Sequence, residues 1–341
     1  MSHKRYDQLS IVDKFIGPGR SRSDQFFAKV DAVVDWEPIE AELSVIHASP
    51  RGRPGKAPLL MFKTLLVQRF YNLSDPATED SLNDRKSFAR FVGLPLDEPA
   101  PDYSSISRFR TELVRLGLME KLLTQLMAQI DKKGLVLREG TLMDATFVAS
   151  AVRPPSAPRQ PKAAKPAEDQ PVAPAEPQDP FVAGKRSRRD PDARWGKKGR
   201  QAHFGYKLHI AVDGERRIVR THKVTAANVN DCEVGPQLVQ PDGGAHYADK
   251  GYPSQPLREK LAQHSLPDGI MQLGTKHYPL SPASRRRNGL LAKIRGFVEG
   301  VFGETKQRMG LCRARYIGLT KVQFECDLVV FCFNLKTTAL A

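Results

Sequence analysis

The spacing of hydrophobic and polar residues divides the chain into a helical part and a part that mixes strands with helices. Within residues 51–117 the apolar residues recur at helical spacing, first in LLMFKTLLVQRFYNL. A second helix is predicted to begin after the N-cap Ser74 and to run to about Phe91. A third helix ends at Gly117, and another amphipathic helix covers residues 120–133.

Beyond Gly134 the pattern changes to the alternation that is typical of strands, beginning with residues 142–148. The later predicted elements are a hairpin (203–213 and 217–228), a helix (231–239), a strand (245–250), a helix (254–264), a strand in GIMQLG, a helix (285–306) and an apolar helix (323–340). Strands that alternate with helices predict a mixed α/β layer architecture for this part of the chain.

One segment fits neither pattern. Residues 153–181 contain nine prolines interleaved with Ala, Lys and Glu, which predicts a disordered or extended insert because so little apolar surface can be buried. A basic block, KRSRRDPDARWGKKGR, follows it. We therefore expect a helical N-terminal domain (1–134), the first strand of a second domain (135–152), an insert or linker (153–200) and the rest of the second domain (201–341).

Composition narrows the class of protein. Lys and Arg total 53 against 38 Asp and Glu, a formal net charge of +15, which favours a nucleic-acid partner over a membrane surface. The N-terminus lacks the apolar segment of a signal peptide, and the apolar stretch Leu328 to Phe333 is too short to span a bilayer. The four cysteines form no CxxC pair, so reduced thiols in a cytoplasmic protein are expected rather than a zinc site.

The helical part contains one arrangement that fits DNA recognition. A polar turn precedes a helix that opens with serines and arginines, in SSISRFRTELVRLG, as the reading helix of a helix-turn-helix does. Arg108 and Arg110 are the candidates for contacts with DNA. An ordinary helical bundle gives the same pattern and is favoured by the pattern alone.

Three acidic residues lie on separate predicted elements of the second part. Asp144 lies in its first strand, Asp249 ends a later strand in YADKGY, and Glu299 lies on the long helix. Two-metal phosphoryl transfer needs hard oxygen ligands of this kind around Mg²⁺ or Mn²⁺. Each residue taken alone is more often a cap or a solvated side chain, so the three form a candidate site only as a set.

The helix around Glu299 carries two cations on the same face. Arg295 is four residues before Glu299 and Lys306 is seven after it, offsets that keep all three on one stripe of a helix. A carboxylate between two cations suits a metal ion beside phosphates. A solvated, salt-bridged helix face has the same spacing, and spacing alone does not decide between them.

The order of the motifs resembles that of one family. RGRPGKAPLLMFKTLLVQRFYNLSDPATEDSLNDRKSFARFVGLPLDEPAPDYSSISRFRTEL resembles the N-terminal domain of the transposases of the insertion-sequence-five (IS4/IS5-like) group. LMDATFV, GYKLHIAVD, TAANVND and YADKGY resemble successive blocks of that group's catalytic domain, in order over residues 51–335. The resemblance implies an RNase H-like mixed sheet flanked by helices, preceded by an all-helical DNA-binding domain.

The resemblance also implies a site and partners. Asp144, Asp249 and Glu299 stand in the places of the family's DDE triad, and Arg295 and Lys306 match its Tyr–Arg–Glu–Lys signature, whose tyrosine is replaced by an alanine. The family implies two Mg²⁺ or Mn²⁺ ions, double-stranded DNA of element ends and target, and a homo-oligomer that joins two ends. No Walker-type loop is present, so no nucleotide cofactor is expected.

Several further residues have two interpretations each. Trp195 in the basic block either stacks on an exposed base or anchors the loop to the core, with the two evenly weighed. Lys250 either contacts a phosphate or is solvated. For Asp231 in TAANVND a turn or N-cap is favoured over DNA contact, and Tyr252 is expected to pack rather than to act as a nucleophile.

Taken together, the sequence predicts a bacterial insertion-sequence transposase that works at the nucleoid. It is expected to bind terminal inverted repeats, to hydrolyse a phosphodiester at the element's end and then to transfer the exposed 3′-hydroxyl to target DNA. The first alternative is a nuclease of the same fold that cuts without joining. The second is a DNA-binding protein whose catalytic domain is inactive, against which the intact set of three carboxylates argues.

Overall fold

The first part of the chain is helical in the computed structural model, which describes residues 19, 21–46, 55–95, 97–153, 189–242 and 244–341. The helices are α1 (Arg22–Val33), α2 (Glu37–Leu43), α3 (Pro58–Phe70), α4 (Asp75–Asp84), α5 (Lys86–Val92), α6 (Tyr103–Leu116) and α7 (Leu118–Lys132). Helices α1 and α2 lie before the first helix that the pattern predicted. The remainder follow the predicted order, with one break.

The helix expected between Ser74 and Phe91 is two helices, α4 and α5, which meet at Arg85. Arg85 has an extended backbone, with φ −102° and ψ 105°. The change of direction brings Phe88 and Phe91 of α5 against Phe27 of α1, at ring-centroid distances of 5.9 and 4.1 Å. No proline or glycine stands at this break. We attribute it to the packing of aromatic rings that are distant in sequence.

The helix start predicted at Ser74 and the helix end predicted at Gly117 are confirmed. Ser74 accepts a hydrogen bond from the Ala77 N–H at the start of α4, and Asp102 caps α6, which satisfies backbone donors that have no partner within the helix. Gly93 and Gly117 end α5 and α6 with φ of +77° and +61°. A residue without a Cβ takes this left-handed conformation at little cost.

The described residues of the second part form a six-stranded mixed sheet. Its strands are β1 (Gly140–Ala149), β2 (Arg194–Lys198), β3 (Gln201–Asp213), β4 (Val219–Ala226), β5 (Ala245–Ala248) and β6 (Asp268–Ile270). Strand β1 is antiparallel to β3 on one side and parallel to β5 on the other, and β5 is parallel to β6. The far edge of β3 pairs first with β2 and then with β4.

Helices cover both faces of this sheet. They are α8 (Asp231–Leu238), α9 (Gln255–Gln263), α10 (Pro282–Gln307) and α11 (Leu319–Leu340). Val234, Leu257 and Leu261 of α8 and α9 form a core with Met143 of β1. The alternation of strands and helices that the sequence predicted is confirmed, with small shifts at the ends.

The basic block that was assigned to the insert contains a strand, and this corrects the boundary at residue 200. Strand β2 pairs antiparallel with the start of β3 through a turn at Gly199, whose φ is +59°. Asp190 fixes the entry to β2, because its carboxylate accepts from Ser150 Oγ at 2.7 Å and from Tyr206 Oη at 2.6 Å. Most of the Pro-rich segment, residues 154–188, lies outside the described residues.

Helix α11 joins the two parts through one core. Its side chains are buried on almost every face, between the sheet and the N-terminal helices, and Phe331 packs against Phe62 of α3 at a ring-centroid distance of 5.2 Å. The described N-terminal helices, strands β1, β3 and β4, and α11 share this core, so residue 134 marks a change of secondary structure rather than a gap in packing. In the described part of the chain, no helix has the length and apolar character needed to cross a membrane.

Candidate catalytic site

Two of the three acidic residues lie at matching positions of neighbouring parallel strands. Strands β1 and β5 are parallel, and Leu142 is the register partner of Tyr247. Asp144 lies two residues after Leu142, and Asp249 lies two residues after Tyr247 and directly follows β5. Asp144 lies within β1, which continues to Ala149, and the shared register of β1 and β5 brings the carboxylates of Asp144 and Asp249 close to each other.

Asp144 is partly buried and already has a positive partner. Its Oδ1 accepts from the Ala145 N–H at 2.8 Å, and its Oδ2 lies 3.1 Å from Nη2 of Arg295. Burial raises the pKa of Asp144, and the Arg295 guanidinium opposes that rise. The negative charge of Asp249 raises the pKa of Asp144 further, as expected for two carboxylates that share one site.

Helix α10 carries Arg295 and Glu299 and packs beside the strands of Asp144 and Asp249. It contacts both β1 and β5, and it buries Val298 and Val301 against the main core. Arg295 points inward to Asp144, whereas Glu299, one turn further along, is exposed. Of the residues predicted to share one face of this helix, Arg295 reaches Asp144, and Glu299 does not reach the aspartates.

The acidic residues differ in how well they are placed to hold a metal ion. Asp144 and Asp249 offer neighbouring hard oxygen ligands of the kind that Mg²⁺ and Mn²⁺ prefer. Within the described ranges, which include all three acidic residues, no group of three His, Cys, Asp or Glu side chains is close enough to hold a metal ion. Asp144 and Asp249 are therefore a neighbouring pair of carboxylates, and Glu299 is exposed on the adjoining helix.

Two lysines extend the positive charge around this site. Lys306, on the last turn of α10, is half-buried, and its burial lowers the pKa of its ammonium group. Lys198 is the last residue of β2. Its positive charge lowers the pKa of both Asp144 and Lys306. Strand β2, which lies in the segment predicted to be an insert or linker, therefore borders the acidic residues.

Comparison with known proteins identifies the family. The family model described as Transposase DDE domain matches residues 137–335, more than half of the chain. The chain is a DDE transposase. A second family model, described as Transposase domain (DUF772), matches residues 18–112. The mixed sheet is accordingly an RNase H-like catalytic domain, and the enzyme is a DNA transposase of a family that depends on divalent metal ions.

Solved transposase structures match most of the chain at low identity. The piggyBac transposase synaptic complex with hairpin DNA is 11% identical, with 92% of this chain and 73% of that chain covered and a TM-score of 0.44. A pre-cleavage Mos1 transpososome is 10% identical, with 86% and 82% covered and a TM-score of 0.19. A Mos1 paired-end complex with the left transposon end is 10% identical, with 88% and 85% covered and a TM-score of 0.19.

The residues predicted to bind DNA lie in different environments in the transposase. Arg108 is exposed on α6, where its guanidinium donates to the hydroxyls of Ser104 and Ser105 and pairs with no acid among the described residues. Lys250 is exposed beside Asp249. Trp195 is 53% exposed on β2, and its ring centroid lies 5.5 Å from that of Phe204. Part of the side chain is therefore packed against the protein and part is open to solvent.

Arg110 requires a correction. It is buried, its guanidinium forms an ion pair with Asp75 of α4, and it also donates to Gln68 Oε1 at 3.4 Å. Its ring neighbour is Tyr316, 5.1 Å from the guanidinium carbon. A side chain with these partners holds helices together and is not presented to DNA. The pattern of α6 did not reveal this, because the partner carboxylate lies 35 residues earlier.

Asp231 also requires a correction. The N-cap of α8 is Asn230, which forms a capping box with Glu233. The carboxylate of Asp231 instead accepts from Lys207 Nζ at 2.9 Å. The strand alternation of GYKLHIAVD placed Lys207 and His209 on one face of β3, and this was the signal in the sequence that an acidic partner was needed there.

Proposed function

We propose that the transposase belongs to the insertion-sequence-five group and acts on the terminal inverted repeats of its own element. Water first attacks a phosphodiester at the element's end and exposes a 3′-hydroxyl, which then attacks a phosphate of the target DNA in line. The observation that supports this reaction is the closeness of Asp144 and Asp249 at equivalent positions of the neighbouring parallel strands β1 and β5, beside a helix that carries Glu299.

The acidic residues have one task in this proposal. Asp144, Asp249 and Glu299 would hold two divalent ions, Mg²⁺ or Mn²⁺, which when bound activate the attacking oxygen and stabilise the leaving oxygen. The register of β1 and β5, which brings Asp144 and Asp249 close together, supports this role for them. Glu299 is on the helix that contacts both strands, and we expect it to complete the set when DNA lies against α10.

The cations around the carboxylates suit the phosphates of a bound strand. Arg295 neutralises Asp144 when DNA is absent, and its planar guanidinium matches the geometry of a phosphate. Lys306 on the same helix and Lys198 on the hairpin flank it. A strand that passes between α10 and the β2–β3 hairpin would therefore meet positive charge on both sides of the scissile phosphate.

Recognition of the element's end would fall to residues further away. Arg108 on α6 and Lys250 beside the site are exposed cations, and the open face of Trp195 suits stacking on a base. We expect double-stranded DNA of the ends and of the target as partners, and a homo-oligomer that holds two ends together. The place of work would be the nucleoid of a bacterial cell.

The proposal is tested by nicking of a duplex that carries the element's terminal repeat, in Mg²⁺ or Mn²⁺. Loss of one metal ligand removes several kcal/mol of transition-state stabilisation, so Asp249→Asn should slow nicking by about a thousandfold. Asp242→Asn serves as the matched control, because Asp242 pairs with Arg138 and Arg220 away from the site. Equal nicking by Asp249→Asn and wild type, or DNA binding by wild type with no nicking, would refute the catalytic assignment.

A further inference from the structure

An ion pair lies directly behind the acidic site. Lys207 of β3 donates to Asp231 Oδ1 at 2.9 Å and to the Val229 carbonyl at 2.8 Å. Lys207 is held in turn by the ring of Phe147, 5.3 Å from its nitrogen. With the ammonium fixed by two acceptors and a ring, the Asp231 carboxylate has a fixed orientation. Its Oδ2 receives no hydrogen bond from the described residues.

That second oxygen faces the turn that carries Asp249. A methyl group placed on Gly251 would lie 3.0 Å from Asp249 Oδ1 and 3.4 Å from Asp231 Oδ2. Gly251 also donates its N–H to Asp249 Oδ1 at 2.7 Å. The carboxylates of Asp231 and Asp249 therefore approach the same residue from two sides, and the absence of a side chain at Gly251 leaves the space between them open.

A buried hydroxyl without a partner lies at the same place. Tyr252 is fully buried, and its Oη makes no hydrogen bond with the described residues. Burial raises the pKa of Tyr252, and the charges of Asp231, Asp144 and Asp249 raise it further. An unpaired buried hydroxyl is costly, and one that feels the charges of three carboxylates suits a water molecule that belongs to an ion's hydration shell.

We propose that Asp231, oriented by Lys207, is a fourth acidic residue of the catalytic centre, which supports through water the divalent ion held at Asp249. The inference rests on the proposed function, because it needs an ion at Asp249. Asp231 is a positioning residue here, since the described residues bring no three carboxylates close enough for direct ligation. Tyr252 would supply a hydrogen bond to the same water.

The experiment is a Mn²⁺ titration of the full-length protein, followed by electron paramagnetic resonance, with the thermal unfolding midpoint measured for each variant. Outer partners of metal ligands typically contribute a factor of about 10–100 in affinity. Asp231→Asn should therefore weaken Mn²⁺ binding by about tenfold or more. Lys207→Met should also weaken Mn²⁺ binding, whereas Lys207→Arg should retain most of the affinity. Asp242→Asn should bind Mn²⁺ as tightly as wild type does.

The outcomes separate the inference from the function on which it rests. If Asp249→Asn abolishes Mn²⁺ binding while Asp231→Asn and Lys207→Met bind as wild type does, Asp231 has only a structural role and the inference is wrong. The same conclusion follows if their unfolding midpoints fall but their Mn²⁺ affinities do not. If Asp249→Asn binds Mn²⁺ as tightly as wild type, the proposed metal site itself is wrong, and the inference is overturned with it.

Discussion

At the scale of single residues, charge pairing explains which side chains are available and which are not. Arg295 lies 3.1 Å from Asp144 and supplies the positive charge that a partly buried carboxylate needs. Arg110 serves Asp75 in the same way within the helical part. Arg108, two residues earlier on α6, is exposed and donates to the hydroxyls of Ser104 and Ser105. We therefore expect replacement of Arg110 to affect stability and replacement of Arg108 to affect DNA binding.

Arg110→Met should destabilise the protein, and Arg108→Ala should not. Removing one partner of a buried ion pair leaves an uncompensated charge, and since Asp75 retains some exposure we expect a loss of about 1–3 kcal/mol. Arg108→Ala should change the free energy of unfolding by less than about 0.5 kcal/mol. It should nevertheless weaken DNA binding and reduce the slope of log K against log salt concentration by about 1. Urea unfolding and binding titrations at several salt concentrations measure both. A stable Arg110→Met protein that has lost DNA binding would contradict this assignment.

At the scale of elements, local signals determined the helix ends, and long-range contacts determined the rest. The alternation of residues 142–148 predicted the strand of Asp144, which spans Gly140–Ala149. Strand β2, with the sequence RWGKK, has no apolar alternation and exists because it pairs with β3, so no local pattern predicted it. The break at Arg85 was missed for the same reason, since rings of α1 distant in sequence determine it.

The candidate site shows the same division. The sequence placed Asp144, Asp249 and Glu299 on the right elements, because each element has its own periodicity or turn signal. The contacts of these residues were not predictable: that Arg295 rather than Glu299 reaches Asp144, and that Lys198 borders the site, depends on how α10 and the hairpin pack. Spacing within one helix cannot give its rotation against a sheet.

The N-cap of α6 gives a test at this scale. Asp102 accepts from the Ser105 N–H at 2.8 Å and from two serine hydroxyls, and these hydrogen bonds lower its pKa to about 2. Asp102→Ala should cost about 0.5–2 kcal/mol of unfolding free energy, and Asp102→Asn should cost much less because asparagine caps equally well. Urea unfolding of the two variants measures the difference, and equal stability of Asp102→Ala and wild type would rule out the cap as a stabilising contact.

At the scale of the whole molecule, buried polar contacts tie the N-terminal helices to the catalytic domain. Arg69 of α3 is fully buried, lies 2.9 Å from Glu325 of α11 and donates to the Met309 carbonyl at 3.0 Å. Arg315 donates to the Leu73 carbonyl at 2.6 Å. These contacts connect the segment that follows α10, and α11, to the N-terminal helical part, which also carries Arg108.

This link predicts a pattern of stability. Arg69→Met leaves Glu325 buried without its counter-charge and should cost about 3–5 kcal/mol. The double variant Arg69→Met with Glu325→Gln should cost clearly less, because no charge remains buried and the amide still accepts from the Arg315 N–H. Arg115→Met, which breaks the exposed pair with Glu112, should leave the stability close to that of wild type. Equal urea midpoints for Arg69→Met and wild type would show that the pair is not a link.

The central claim is that Asp144, Asp249 and Glu299 act as one site for transfer of a DNA strand. The most direct measurement supplies a terminal-repeat duplex with its 3′-hydroxyl already exposed, a supercoiled plasmid and Mn²⁺, and quantifies joined product. Wild type and Glu304→Gln, whose acid lies on α10 but pairs with Lys336, should join the end to the plasmid. Asp144→Asn, Asp249→Asn and Glu299→Gln should each form no joined product. Wild-type joining by any of the three would contradict the account, and hydrolysis by wild type with no joining would identify a nuclease instead.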